Sequence, residues 1–502
     1  MKKQILLILF SSLLLRACVP TPEEDAVKQK DTNVLIDTVL SEQTQANADN
    51  LPASVNEQFP ERFQCDTHTN IKNVHIVADV PLRVFSDSGF PLIRVERTGI
   101  DVKDQYEMLK RCFGTDQLYI WRERRLTKKE VAERIVTLLE WEATVEQRHK
   151  EWDGTEEDWE FLENQVHNEL EELQEQFRTM TDDEEQAPFV KWAGSPCPAG
   201  EVYYIVADPY ETGNTIPPYD LAVAHVETNQ PYPSVEYSNM WRDTPVIETL
   251  KDISEGTKRI PKEEYHLKQN SATISAQDAI DKAMQIVDGF GTFDVIDVQW
   301  SNDADQDGDA RGEVHHWFYT VRLSRVYEGA CTTTCSMWCS NWEDDNAEEQ
   351  QDYFIANWSD EVIRVLVDRD GTLLGFDWRG KLNPTEVLAA NTPLLSYDEI
   401  TEILKAQVNR VFSWDDHQDG TLVIDDVQLG LMRIREKNNM ESGLLVPVWY
   451  FTGAFVYADR YAEARLKEGL SEHQAHQQDY IDFPLLVINA IDGTIIDPMK
   501  GY

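Results

Sequence analysis

From residue 271 to residue 502 the chain runs twice through one pattern, and this duplication limits its fold more than any other feature. Ser275-Ala276-Gln277-Asp278-Ala279-Ile280 opens one amphipathic helix, and Ser396-Tyr397-Asp398-Glu399-Ile400 opens another. Asp297-Val298-Gln299 recurs as Asp426-Val427-Gln428, and Val314-His315-His316-Trp317-Phe318-Tyr319-Thr320 as Val446-Pro447-Val448-Trp449-Tyr450-Phe451-Thr452. Gln350-Gln351-Asp352-Tyr353 recurs as Gln477-Gln478-Asp479-Tyr480, and Asp370-Gly371-Thr372 as Asp492-Gly493-Thr494. Landmarks repeated in one order mark a duplicated unit. Each copy reads helix, strand, strand, insertion, strand, Asp-Gly hairpin, strand, because Asp-Gly between β-branched runs supplies the positive φ of a tight turn. The expected class is α+β, with antiparallel sheets each packed with a helix. The copies are bounded at 271–385 and 386–502.

The segments before the repeats have other characters. Residues 61–126 read as a small α+β unit: strands at 73–82 and 91–95, then a helical stripe through Val102, Tyr106 and Leu109, stopped by Gly114. Residues 127–185 read as a long antiparallel helical hairpin. Thr127 and Glu130 form a capping box, and Trp159, Leu162, Val166, Leu170, Leu173 and Phe177 recur at spacings of three and four. Prolines punctuate residues 186–270, an irregular β-rich connector. Apolar residues make up 41% of the chain, too many for a disordered protein. With 46 Lys and Arg against 91 Asp and Glu, the net charge of −45 repels phosphate backbones and excludes nucleic acid as a partner.

Lys2 and Lys3 precede an apolar run from Ile5 to Leu15 that is too short to span a bilayer, so residues 1–17 read as an export signal. The run ends in Leu15-Arg16-Ala17-Cys18, which resembles the lipobox of bacterial lipoproteins. The resemblance implies a lipid on Cys18, the extracytoplasmic face of the bacterial cell membrane as location, and membrane contact through the lipid alone. Residues 18–60 are then expected to be a flexible tether with little to bury.

Several clusters carry candidate chemistry. Asp303, Asp305 and Asp307, followed by Gly308, match the start of a calcium loop, with Glu313 one residue early as the closing ligand; an acidic solvated turn is the competing reading. Asp415, His417, Asp419 and Asp426 echo that spacing with poorer ligands. Cys331, Cys335 and Cys339 lie four apart, with His315 or His316 as a fourth ligand if they hold a metal. Together with Cys65, Cys112 and Cys197 they make an even set of six, open to disulfides, free thiols or a metal. His473, His476 and Asp479 lie three apart on a stretch that reads as a surface helix. The sequence has no phosphate loop, no His-Glu-x-x-His and no Gly-x-Ser-x-Gly elbow, so no catalytic residue is assigned.

The helix-on-curled-sheet layout of the two copies resembles the PepSY-like and cystatin-like modules of exported bacterial proteins. With the lipobox, the charged hairpin and the ending Leu486 to Asp497 (LVINAIDGTIID), the chain resembles a family of uncharacterised lipoproteins of gut clostridia and related Firmicutes, described only as a domain of unknown function. The resemblance implies a surface location and no activity. The expected role is a lipid-anchored, non-catalytic binding or scaffold protein facing an extracellular protein or polymer. Its alternatives are an inhibitor-like regulator of an exported peptidase and a cation-dependent enzyme. The insertions at 328–349 and 456–476 are the expected partner-facing parts.

Overall fold

The structure is a computed structural model that describes residues 32–46, 58–68, 75–121, 127–152, 155–180, 189–196, 203–207, 223–226, 234–239, 248–249, 257–269, 271–302, 313–314, 316–335, 360–411, 420–436, 442–457, 479–480 and 484–498. The class is α+β, built on two large sheets.

Helix α1 (Thr32–Ala46) lies inside the expected tether. Its Leu35, Ile36 and Val39 are buried against Leu92, Ala389 and Met432. This corrects the sequence reading: those three side chains share one helical face and find an apolar sheet surface to cover, so the segment has a core contact after all.

Strand β1 (Arg62–His68) and the first half of β2 (His75–Val84) alternate buried with more exposed residues, and β3 (Leu92–Arg97) buries Leu92, Ile93 and Val95. Helix α2 (Val102–Phe113) follows, capped by Asp101 and ended by left-handed Gly114, and leads into β4 (Leu118–Trp121). The expected self-contained unit does not close on itself. Its first three strands join the second repeat in sheet I, whereas α2 and β4 go to sheet II with the first repeat. A unit this small buries too little surface alone, and each part is completed by a repeat.

Helices α3 (Lys128–Ala143), α4 (Val145–Glu151) and α5 (Glu156–Thr179) form the hairpin. Its own core is Val131, Leu138, Val166, Leu170 and Leu173. Within the connector, β5 (Phe189–Trp192), β6 (Tyr203–Val206), β7 (Val223–Val226), β8 (Val235–Ser238) and the two-residue β10 (Lys258–Arg259) enter sheet II, while the two-residue β9 (Glu248–Thr249) stands outside both large sheets.

The first repeat supplies α6 (Ala276–Val287), β11 (Phe293–Asn302), β12 (Glu313–Val314), β13 (Trp317–Arg325), β14 (Val362–Asp368) and β15 (Leu373–Arg379). After β16 (Leu382–Ala389), the second supplies α7 (Tyr397–Val411), β17 (Gly420–Arg435), β18 (Ser442–Tyr457), β19 (Asp479–Tyr480) and β20 (Leu486–Asn489). Sheet I runs β1-β2-β17-β18-β3-β16, with β19 and β20 also on β18; sheet II runs β10-β11-β13-β14-β15-β8-β7-β6-β4-β5. Sheet I is mixed, because β2 and β17 pair in parallel. Helices α2 and α6 cover one face of sheet II. Helix α7 packs on one face of sheet I, and α1 covers part of the other.

The two repeats agree in detail. The ladder of β11 with β13 shifts register between Val295 and Asp297, and that of β17 with β18 shifts between Ile424 and Asp426, so each Asp follows a bulge. The Asp-Gly turns use Gly371 at φ 91° and Gly493 at φ 73°, each donating its N–H at 2.9 Å to the carbonyl that ends the preceding strand. Both repeat helices open with a reciprocal cap. The Asp278 carboxylate accepts the Ser275 N–H at 2.7 Å and the Glu399 carboxylate that of Ser396 at 2.8 Å.

Those hydrogen bonds hold both carboxyls below their ordinary range, with the Ser275 backbone N–H as the main cause for Asp278 and the Ser396 side chain for Glu399. A carboxyl whose folded pKa is depressed adds stability that is present above its unfolded pKa of about 4 and lost as pH falls through the folded value. Asp278→Asn is therefore expected to lower the urea midpoint at pH 6 and to match wild type increasingly as pH drops below about 4. A gap that stays constant down to acid pH would show that the charged cap contributes nothing.

Candidate binding face where the two sheets meet

The duplicated Asp and Gln are brought together at the junction of the sheets. Asp297 on β11 and Asp426 on β17 are each only 3% exposed. Gln299 donates to the Asp297 carboxylate at 2.7 Å, and Gln428 to that of Asp426 at 2.6 Å. One arginine comes from the strand beside each. Arg83 on β2 stands in register with Gln428, and Arg259 on β10 with Gln299. Arg83 contacts Asp426 at 3.0 Å and Asp297 at 3.5 Å; Arg259 contacts Asp297 at 2.8 Å and Asp426 at 2.9 Å. Each arginine thus bridges both sheets. Burial opposes the charge on Arg259, but the Asp426 and Asp297 carboxylates more than offset it and hold its pKa above the ordinary value. Asp426, which its spacing had placed among weak cation ligands, is instead a buried anion engaged by two guanidinium groups.

The clamp also roots the first insertion. Gln428 donates to the Thr334 hydroxyl at 2.6 Å and accepts the Thr334 N–H at 2.8 Å, while Arg322 on β13 donates to the Thr334 carbonyl at 3.1 Å. Cys331 and Thr333 run beside β17: Leu431 donates to the Cys331 carbonyl at 2.9 Å, and Thr333 to the Leu431 carbonyl at 2.9 Å. The Cys331 N–H reaches Phe85 just past β2 at 2.8 Å, so this stretch takes over from β2 along β17. The start of the insertion is therefore part of the frame, a correction to its expected role as an exposed variable loop. Free backbone groups at the end of β17 need partners, and residues 331–333 provide them.

The chain re-enters the described region at Asp360, close to where it left at Cys335. Thr332, Thr333, Cys335, Asp360, Glu361 and Arg433 help line one small cavity of about 10 Å³, at the lower limit for a single water. Glu361 is held by Arg325 at 2.8 Å, by the Trp378 indole N–H at 3.1 Å and by the Tyr327 hydroxyl. Burial, and then Glu361, raise the Tyr327 hydroxyl well above its usual pKa, so it stays protonated and donates. Tyr450 shares a side-chain hydrogen bond with Cys335, and its hydroxyl is raised mainly by burial. These groups hold Cys335 and Glu361 on the frame of the two sheets.

The other sequence-chosen residues are scattered. Cys18, Cys197, Cys339, Asp303, Asp305, Asp307, His473 and His476 lie outside the described residues. Glu313 sits on β12, paired with Thr249 of β9. Cys65 belongs to the core of sheet I and Cys112 to that of sheet II, both as buried free thiols. Cys331 is also a buried free thiol, and burial pushes its pKa up to about 12. Burial likewise raises Cys65 and Cys112, so all three are neutral, poorly reactive groups. His316 pairs with Asp368 at 3.4 Å. Among the described residues no three His, Cys, Asp or Glu side chains already converge as a metal centre, and no helix is long and apolar enough to cross a membrane.

No family model and no curated protein matches the chain. Among solved structures it is similar to an uncharacterized protein from Eubacterium rectale ATCC 33656, at 11% identity and a TM-score of 0.43, over 94% of this chain and 99% of that one.

Proposed function

We propose that the protein is a lipid-anchored, non-catalytic binding protein of the outer face of a bacterial membrane, held there through Cys18 and presenting segment 336–359 to an extracellular partner. The supporting observation is the rooting of that segment: it leaves the frame at Cys335 and returns at Asp360, beside the charged clamp that locks the sheets. A binding segment gains affinity when its ends are already ordered, because less freedom is lost on association. Segment 336–359 carries six Asp and Glu, no Lys or Arg, and Trp338, Trp342 and Trp358. That composition suits a basic partner with surfaces for aromatic contact.

The test uses the full chain in its host. Cys18→Ala should move the protein from the membrane fraction to the medium or leave its precursor uncut. Replacing 336–359 by a short Gly-Ser link, with residues 331–335 kept, should leave the melting temperature in place and abolish retention of the surface material bound by wild type. A soluble wild-type protein whose mature chain starts elsewhere than Cys18, or binding that survives the replacement, refutes the reading.

A further inference from the structure

At the turn end of the β1–β2 hairpin, eight residues before Arg83 of the clamp, two imidazoles and a carboxylate share one face of sheet I. His68 and His75 are register partners, and Asp66 precedes His68 by two residues, which puts it on the same face. The two imidazole rings lie face to face with centroids 4.5 Å apart and planes 11° from parallel. His75 directs Nε2 at the Asp66 Oδ1, 2.8 Å away. Arg62 and Gln64, further along the same face, both go to Asp79, so Asp66 is left to the histidines.

His68 is exposed and His75 half-buried, and neither belongs to the apolar core of sheet I. The carboxylate that fixes one imidazole nitrogen has the arrangement that orients metal-bound histidines, in which the other nitrogen takes the ion. Side chains directly opposite on an antiparallel pair stand about 4.5–5.5 Å apart at Cβ, a spacing from which two imidazoles can reach one ion. His68 is the more exposed of the two imidazoles.

We infer that His68 and His75 form a two-imidazole surface site for a borderline divalent transition ion such as Zn²⁺, Ni²⁺ or Cu²⁺, with Asp66 orienting His75; the ion opens the ring stack as His68 turns to join His75 on the metal. Imidazole ligands favour these ions over calcium or magnesium. The site is independent of the acidic loop at 303–313 and of the function proposed above.

The experiment is titration of the EDTA-treated full chain with Cu²⁺ at pH 7.5, read by the nitrogen hyperfine pattern in electron paramagnetic resonance, and with Zn²⁺ alone by calorimetry. The expected result is a first equivalent bound with two imidazole nitrogens. His68→Ala and His75→Ala should each reduce the pattern to one nitrogen and weaken that equivalent by at least about ten-fold, and Asp66→Asn should weaken it by about ten-fold while keeping both nitrogens. None of the three belongs to the apolar core of sheet I, so melting without metal should not change. Wild type that binds no first equivalent, or variants that bind it as wild type does, overturns the assignment.

Discussion

Arg83→Met is expected to cost about 3–5 kcal/mol of stability, because it removes one cation from a buried cluster and leaves Asp297 and Asp426 to share Arg259. The measurement is urea unfolding at pH 7. The combination Arg83→Met with Asp426→Leu should cost clearly less than the two single changes added together, since the charges then leave as a pair. Simple additivity would mean that the two side chains do not interact. Lys at position 83 should not restore wild-type stability, because one ammonium cannot span two carboxylates in the two sheets as a guanidinium does.

Trp449→Ala should be comparably damaging, at about 3–5 kcal/mol, since a fully buried indole leaves a large void. The neighbours give the effect a particular signature. Trp449 meets Phe59 edge-on at 5.3 Å and packs near Phe63, so it holds the strands near the N-terminus on the second repeat. Limited proteolysis of the variant is expected to cut first around residues 58–84. If cleavage starts in the repeat itself, Trp449 is holding β18 and not the N-terminal strands.

The duplication was readable because each of its signals is local. A capping Ser with an acid three residues on, an Asp-Gly turn and a Val/Ile/Trp strand are each decided by neighbours in sequence. The hairpin was readable for the same reason, through a stripe that packs on its own partner helix. Sheet membership was not. The strand read at 73–82 is found over its described part, from His75 on, yet nothing in it names β17 as a parallel neighbour, and the four-residue strands of the connector take their order only from the sheet they extend. The clamp was half visible: Asp297 and Asp426 stood out as repeated landmarks, while Arg83 and Arg259 lie outside the repeats and have no motif. The helix at 32–46 was missed because polar residues are interspersed among its apolar ones, and the three that are buried, Leu35, Ile36 and Val39, matter only once a sheet face is present. The outward-facing His68 and His75 are seven residues apart, and only the hairpin register makes them neighbours.

The parallel pairing of β2 with β17 also governs the order in which the molecule can assemble. Arg83 and Asp426 are separated by 343 positions, and Gln64 and Tyr397, which also bond, by 333. A chain made from its N-terminus must therefore keep β1, β2 and β3 unpaired with their central neighbours until the second repeat has been synthesised. Closing loops of this length is entropically slow, and sheet II, completed earlier along the chain, is expected to be ordered first. Sheet I is then the late event in folding, and its unpaired N-terminal strands are the surface most exposed to misassembly while the chain waits.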